Sequence, residues 1–133
     1  MARNIAIGNS SGGFSLLELM IAMLILVILI SVAVPTYQRS VQHARETVLK
    51  ENLWQMRRAI DQYASDKGRL PKSLDDLVSE KYLREMPYDP ILEKAEWEQV
   101  IGEDPLLPGE SGLKNIRSLA EGTDSEGKLY KEY

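Results

Sequence analysis

Glu18 is the residue whose placement demands a chemical reason. It carries the one charge in the run from Gly13 to Val34, which reads G-F-S-L-L-E-L-M-I-A-M-L-I-L-V-I-L-I-S-V-A-V. An ionised carboxylate at membrane depth costs several kcal/mol unless it is paired. Two arrangements relieve that cost. The acid takes a cationic partner, or it lies in the first turns of its helix, interacts with the positive helix end and snorkels to head groups. A second acidic group, Glu121, Asp124 and Glu126 with Ser125 among them, falls in the loop A-E-G-T-D-S-E-G at 120–127. Calcium takes several oxygen ligands, and glycines let a loop curl around an ion. The spacing is not that of an EF-hand, and an ordinary acidic surface turn explains the same residues.

Little else in the chain has catalytic potential. Cysteine is absent and His43 is the single histidine, which excludes disulfides, thiolate metal sites and histidine clusters. His43 reads as a surface or packing position. Asp75 and Asp76 are adjacent on an expected helix, so their side chains diverge and do not form an acid and base pair. There is no Gly-x-Ser-x-Gly, phosphate loop, dinucleotide fingerprint or His-Glu-x-x-His. The sequence does not read as an enzyme.

The element that must hold Glu18 is a membrane-spanning helix. From Phe14 to Val34, at about 1.5 Å of rise per residue, the run reaches roughly 30 Å, the thickness of a hydrocarbon core. In lipid it must be helical, since no water is there to satisfy open backbone groups. The 13 residues before Phe14 are mostly polar or small. A cut suggested by Gly13-Phe14 lies before the apolar run, whereas a secretory signal peptide is cut after it. Charge flanks leave the orientation open, because Arg3 precedes the span while Arg39 and Arg45 follow it closely.

Beyond the span, Pro35 lacks an N–H and is expected to kink or locally melt the helix without ending it. Apolar residues then recur at steps of three and four: Tyr37, Val41, Ala44 and Val48, then Leu49, Leu53, Met56, Ile60 and Tyr63. One helix from about Ser15 to Asp66 is expected, with Gly68 as its stop. Arg45, Lys50, Glu51, Arg57, Arg58 and Asp61 are expected on the face toward water or neighbouring molecules. Ser73 reads as the N-cap of a short helix through Leu74, Leu77 and Val78, finished by Tyr82-Leu83. Trp97, Gln99 and Ile101 predict a first strand with one face inward. The proline-rich stretch 103–110 predicts a loop. Gly112 to Leu119 predicts a second strand, and Lys128 to Tyr133 a third. The expected fold is α+β, a long N-terminal helix packed against a small antiparallel sheet.

Gly13-Phe14-Ser15-Leu16-Leu17-Glu18-Leu19-Met20, the apolar helix and Pro35 just beyond it resemble the type IV pilin superfamily, the class III prepilins. That resemblance implies a pilin-like fold. It also implies cleavage between Gly13 and Phe14 by a prepilin peptidase at the cytoplasmic face, N-methylation of the new Phe14 amine, and assembly into a helical filament. Residues 1–13 would then be a cleaved leader and 14–34 the transmembrane and assembly half of the helix. Residues 35–67 would be its amphipathic soluble half, and 68–133 a globular region with a short helix and small sheet. Within a filament, the Phe14 ammonium of one subunit could neutralise Glu18 of a neighbour and fix axial register.

The block Y-A-S-D-K-G-R-L-P-K-S-L-D-D-L followed by Y-L-R-E-M-P-Y-D-P is similar to the region after the long helix in major pseudopilins of type II secretion. The lack of cysteine fits that group, whereas many adhesive type IV pilins carry a C-terminal disulfide loop. The chain departs from the group at Ile91, where Trp-Gly-Asn-Pro-Tyr usually follows Asp-Pro. The group also has a calcium loop near the C-terminus, which would fall on Glu121, Asp124, Ser125 and Glu126. The resemblance implies an inner-membrane, single-pass protein with a cytoplasmic N-terminus and a periplasmic C-terminal region, later part of a periplasmic or cell-surface filament. Its partners would be other pseudopilins and copies of itself, the prepilin peptidase, an inner-membrane assembly platform, and lipid before assembly.

Net charge is −4, from 16 Lys and Arg against 20 Asp and Glu. No basic block stands out, which argues against nucleic acid as a main partner. Three functions remain in view: a pseudopilus subunit in protein export, a type IV pilus subunit for adhesion, motility or DNA uptake, and a membrane-anchored periplasmic binding module that does not polymerise.

Overall fold

The computed structural model describes residues 1–3, 8 and 12–133. Its elements are α1 (Leu16–Lys67), α2 (Leu74–Ser79), β1 (Trp97–Glu103), β2 (Ser111–Ser118) and a 3-10 turn at Tyr130–Glu132. By its internal contacts the chain divides into Met1–Gln38 and Arg39–Tyr133. The fold is α+β, a long N-terminal helix with a small two-stranded antiparallel sheet, and it fits a pilin-like fold.

In the first unit, α1 opens at Ser15. The Ser15 hydroxyl accepts the Glu18 N–H at 3.1 Å and the Ser15 carbonyl accepts the Leu19 N–H at 3.1 Å. Serine is favoured there because its oxygen satisfies an N–H that has no carbonyl one turn earlier. The helix continues through Pro35. Nearby, the Thr36 hydroxyl donates to the Val32 carbonyl at 2.8 Å and the Ser31 hydroxyl to the Ile28 carbonyl at 2.7 Å. Hydroxyls that bond back onto the helix backbone keep these polar groups satisfied in an apolar setting. Every residue from 12 to 38 is exposed. An apolar surface of that extent has no use in water.

The second unit is built on the next turns of α1. Leu49, Leu53, Met56, Ala59, Ile60 and Tyr63 are buried at helical spacing. They form one core with Leu74, Leu77, Leu83, Trp97, Leu113, Ile116, Ala120, Tyr130 and Tyr133. Each fully buried large side chain contributes roughly 1.5–3 kcal/mol, so this stripe is what the C-terminal region folds against. The stripe starts later than its sequence period implies, since Tyr37, Ala44 and Val48 are exposed and Glu46 is buried instead. Arg57 is also not on the water face. It is half-buried, its guanidinium donating to the Asn115 side chain at 2.8 Å, the Ile116 carbonyl at 2.9 Å and the Tyr133 main-chain oxygen at 2.5 Å. Burial, and then the like charge of Arg117, pull its pKa below the ordinary arginine value.

The helix ends at Lys67, where Gly68 takes φ +67° and donates its N–H to the Ala64 carbonyl at 2.9 Å. That left-handed residue is a glycine because a Cβ would be strained there. Ser73 precedes α2 but its side chain makes no cap bond. Instead the Gln99 side-chain oxygen accepts the Leu74 N–H at 3.0 Å, and the Asp76 carboxylate accepts the Lys72 N–H at 2.9 Å.

β1 and β2 pair antiparallel, with a register shift between Val100 and Ile101 where Lys114 has no partner. The bulge reverses which residues face inward. Trp97 is buried but Ile101 is 52% exposed, contrary to the alternation expected across Trp97, Gln99 and Ile101. In β2, Leu113 and Ile116 are both buried although three apart, and Leu119 lies past the strand end and is exposed. No third strand forms at 128–133. Leu129 makes an isolated bridge to Thr123, and Tyr130–Glu132 is a 3-10 turn that sends Tyr130 and Tyr133 into the core. Two aromatics with a polar tip satisfy the core better in a turn, which can point both inward, than in a strand.

Candidate functional site

The N-terminal motif and the acidic C-terminal loop are the two places with functional potential, and each lies within one of the two units. Gly13 and Phe14 precede α1 in non-helical backbone. Nothing lies within 4 Å of a Cβ built on Gly13, and Phe14 is 87% exposed. Glu18 falls one turn in, at the third helical position after the Ser15 cap. The pattern Ser15-x-x-Glu18 is a capping box in sequence, which the reading of the chain missed, and its serine half is formed. The position also places the carboxylate near the positive end of α1.

That location does not supply a counter-ion. The ion pairs among the described residues are Arg45 with Glu93 at 3.6 Å and Lys67 with Glu80 at 3.2 Å, both on the surface. Glu18 is therefore a charge in an exposed apolar surface with no described cation on it. Pro35, the remaining residue of the expected assembly set, is exposed within α1.

The acidic loop is organised around Glu46 and Asp124, not around a vacancy for a cation. The Ser125 hydroxyl donates to Glu46 Oε2 at 2.7 Å and its N–H to Oε1 at 3.1 Å. The Tyr130 hydroxyl donates to Glu46 Oε1 at 3.1 Å, and the Gln42 amide at 3.2 Å. Burial pushes the Glu46 carboxyl up, but the Ser125, Gln42 and Tyr130 hydrogen bonds outweigh it and hold the group below the ordinary glutamate value. Asp124 Oδ1 accepts the N–H groups of Glu126 and Lys128, each at 2.9 Å, and Oδ2 accepts the Tyr133 hydroxyl. The Tyr133 bond, backed by those of Lys128 and Glu126 and by the Lys50 charge, holds Asp124 low against its burial. Burial and then the Asp124 carboxylate push the Tyr133 phenol well up.

The residues expected to hold calcium are not gathered into one ligand set: Asp124 accepts hydrogen bonds on both oxygens, the Ser125 hydroxyl is turned to Glu46, and Glu121 and Glu126 are exposed. Among the described residues no group of three or more His, Cys, Asp or Glu side chains could hold a metal ion. His43 is exposed. What sequence reasoning missed was Glu46. Its bonded partner Ser125 is 79 residues away, and a buried acid on an otherwise apolar helix stripe was the available signal.

Comparison with known families bears on the first place. Residues 8–34 match the model described as the prokaryotic N-terminal methylation motif. The match covers the stretch that carries Gly13, Phe14 and Glu18, and it supports a type IV pilin-like protein. The motif implies processing by a prepilin peptidase and assembly into pilin-type filaments, which suits a structural role. With a helix long and apolar enough to cross a membrane near the N-terminus, it fits a single-pass membrane-anchored protein. No curated protein and no solved structure matches the chain.

Proposed function

We propose that this protein is a structural subunit of a pseudopilus, built into a filament that serves protein export of the type II secretion kind. The observation that carries the reading is Glu18. It is an acid within the wholly exposed apolar stretch of α1 that ends at Gln38, four residues after a Phe14 that lies in open backbone behind Gly13. Cleavage between Gly13 and Phe14 frees an ammonium at the start of the helix. In its own chain that amine precedes the Ser15 cap, in non-helical backbone outside α1. A neighbouring copy displaced along the axis brings a second amine against the exposed Glu18. Pairing across subunits removes the several-kcal/mol cost of a lone charge in an apolar surface and ties that gain to assembly. The same apolar surface keeps the unassembled subunit in the inner membrane, with the region from Arg39 onward on the periplasmic side.

The choice of a secretion filament over a type IV pilus rests on the lack of cysteine and on the block from Tyr63 to Pro90. Two measurements test the proposal. Mass spectrometry of the native protein is expected to show a chain starting at Phe14 with one added methyl group. Glu18→Val is expected to leave the protein in the membrane and abolish filaments. An unprocessed chain, or normal filaments from the variant, contradicts it. Loss of exoprotein release in a strain without the protein, with surface adhesion and motility intact, separates the secretion role from the pilus role.

A further inference from the structure

A loop tip held by hydrogen bonds and a cleft on another part of the C-terminal unit carry complementary charges and exposed apolar groups. The tip is the β1–β2 connection. Asp104 is buried at its base and accepts the N–H groups of Leu70 and Leu106, both at 2.8 Å. The Asp104 N–H donates to the Glu110 carbonyl at 2.9 Å and the Glu110 N–H to the Leu107 carbonyl at 3.1 Å. Pro105 and Pro108 fix φ at two more positions, and Gly109 supplies the positive φ of +90° that closes the turn. A loop held this firmly nevertheless exposes Leu106 at 50% and Leu107 at 41%. These leucines add little to their own fold. Glu103 and Glu110 flank them, both exposed and neither in an ion pair among the described residues.

The cleft is on the outer side of α1, with a volume of about 370 Å³ and a lining that includes Trp54, Arg58, Gln62, Tyr82 and Arg84. Trp54 is 54% exposed in the middle of a helix, and the Arg58 guanidinium lies 5.2 Å from its ring centroid. Exposed Trp54, Arg58 and Arg84 beside the half-buried Tyr82 give the recess a composition found at interface hot spots. The cleft lining holds two arginines and no carboxylate. The loop cannot fill this cleft in its own chain, because it borders Arg69, Leu70 and Lys72 instead.

We infer that the tip, Leu106 and Leu107 between Glu103 and Glu110, seats in the Trp54, Arg58 and Arg84 cleft of a second copy. The leucines cover the tryptophan while the two acids face the two arginines. Little ordering entropy is lost, since the loop is already fixed. The contact joins two different surfaces of the same molecule, and repeated head to tail it runs on from copy to copy. It names a lateral partner for the filament and rests on that reading.

The chain has no cysteine, so two introduced thiols are the sole reactive ones. Two tagged full-length copies in one membrane, one carrying Gln62→Cys and the other Ser111→Cys, are treated with a short bis-maleimide. The expected product is the mixed dimer, with either copy alone giving on the order of tenfold less. Leu107→Asp or Arg84→Glu lowers the yield about tenfold, and Glu110→Arg on the tip copy restores the Arg84→Glu loss. Equal products from each copy alone, no response to the charge swap, or capture of the tip by lipid or by another protein overturns the inference. Ile28→Cys in the apolar helix is the control. If it cross-links to itself in a Glu18-dependent manner while the tip and cleft do not, the lateral contact is wrong and the filament stands. If neither forms, the filament reading fails and the contact with it.

Discussion

Asp124, which reads as a ligand in the sequence, and Glu46, which does not, both act as fasteners in the fold. Each accepts several donors, and each is held below its ordinary value, 4.5 for glutamate and 3.8 for aspartate. Asp104 is held low as well, first by the Leu70 N–H and despite its burial. A depressed folded-state pKa contributes stability that is complete above the ordinary value and is lost as pH falls through the lowered one. The melting temperature of the C-terminal unit is therefore expected to be level above about pH 5 and to drop steadily below it. Glu46→Gln is expected to lower the plateau and shallow the acid limb; parallel curves for the two proteins count against the assignment. Asp89 makes a sharper case. It is fully buried, accepting the Ser118 hydroxyl at 2.6 Å and the Ile91 and Leu92 N–H groups at 2.8 and 3.0 Å. Asp89→Ala strands all three donors and is expected to cost about 3 kcal/mol in denaturant unfolding. Little of this was legible in the chain, because Ser125 of the Glu46 set, Ser118 of the Asp89 set and Leu70 of the Asp104 set lie tens of residues from their acids, and a carboxylate's type alone does not separate a ligand from a staple. Glu18 draws notice in the sequence for the opposite reason. Its surroundings are its own sequence neighbours.

At the scale of elements, periodicity and punctuation placed the helices well. α1 begins and ends within one residue of the expected bounds, since the apolar steps of three and four run unbroken to a glycine that terminates them. The loop at 103–110 and both strands also stood where Pro, Gly and alternation put them. The faces of the strands did not. One unpaired residue, Lys114, inverts the alternation, and nothing in the residue types announces a bulge. The same region gives a discriminating pair of substitutions. A Cβ on Gly112 would lie 2.5 Å from the Leu70 Cβ and 3.1 Å from the Pro71 carbonyl, which itself accepts the Leu113 N–H at 2.7 Å. A Cβ on Gly102 meets only the flexible Lys114 side chain, at 3.1 Å. Gly112→Ala is expected to destabilise by about 1–3 kcal/mol, and Gly102→Ala by clearly less. Matched unfolding curves for the two variants would show that the strand-to-turn contact at Leu70 and Pro71 is not tight.

For the whole molecule, the division at Gln38 and Arg39 separates two kinds of stabilisation. Every residue of the hydrophobic core lies at Leu49 or beyond, and so do Asp89 and Asp124; Glu46 and Gln42 also fall within the second unit. Residues 12–38 contribute exposed surface and no core. A chain starting at Arg39 is thus expected to fold, to unfold in one cooperative step, and to stay monomeric in water at micromolar concentration. In the proposed filament, loss of the apolar helix removes the pairing of Glu18 with a freed amine, and it also removes the confinement that would bring neighbouring tips and clefts together. A contact between one loop tip and one cleft is small, well below the area of a stable standing interface, so it gains strength only when the helices hold copies side by side. Circular dichroism and sedimentation velocity check both halves of this expectation. A fragment that fails to fold would show that residues 12–38 support the core after all. A fragment that folds and forms tight oligomers would move the driving force for assembly from the apolar helix to the globular unit.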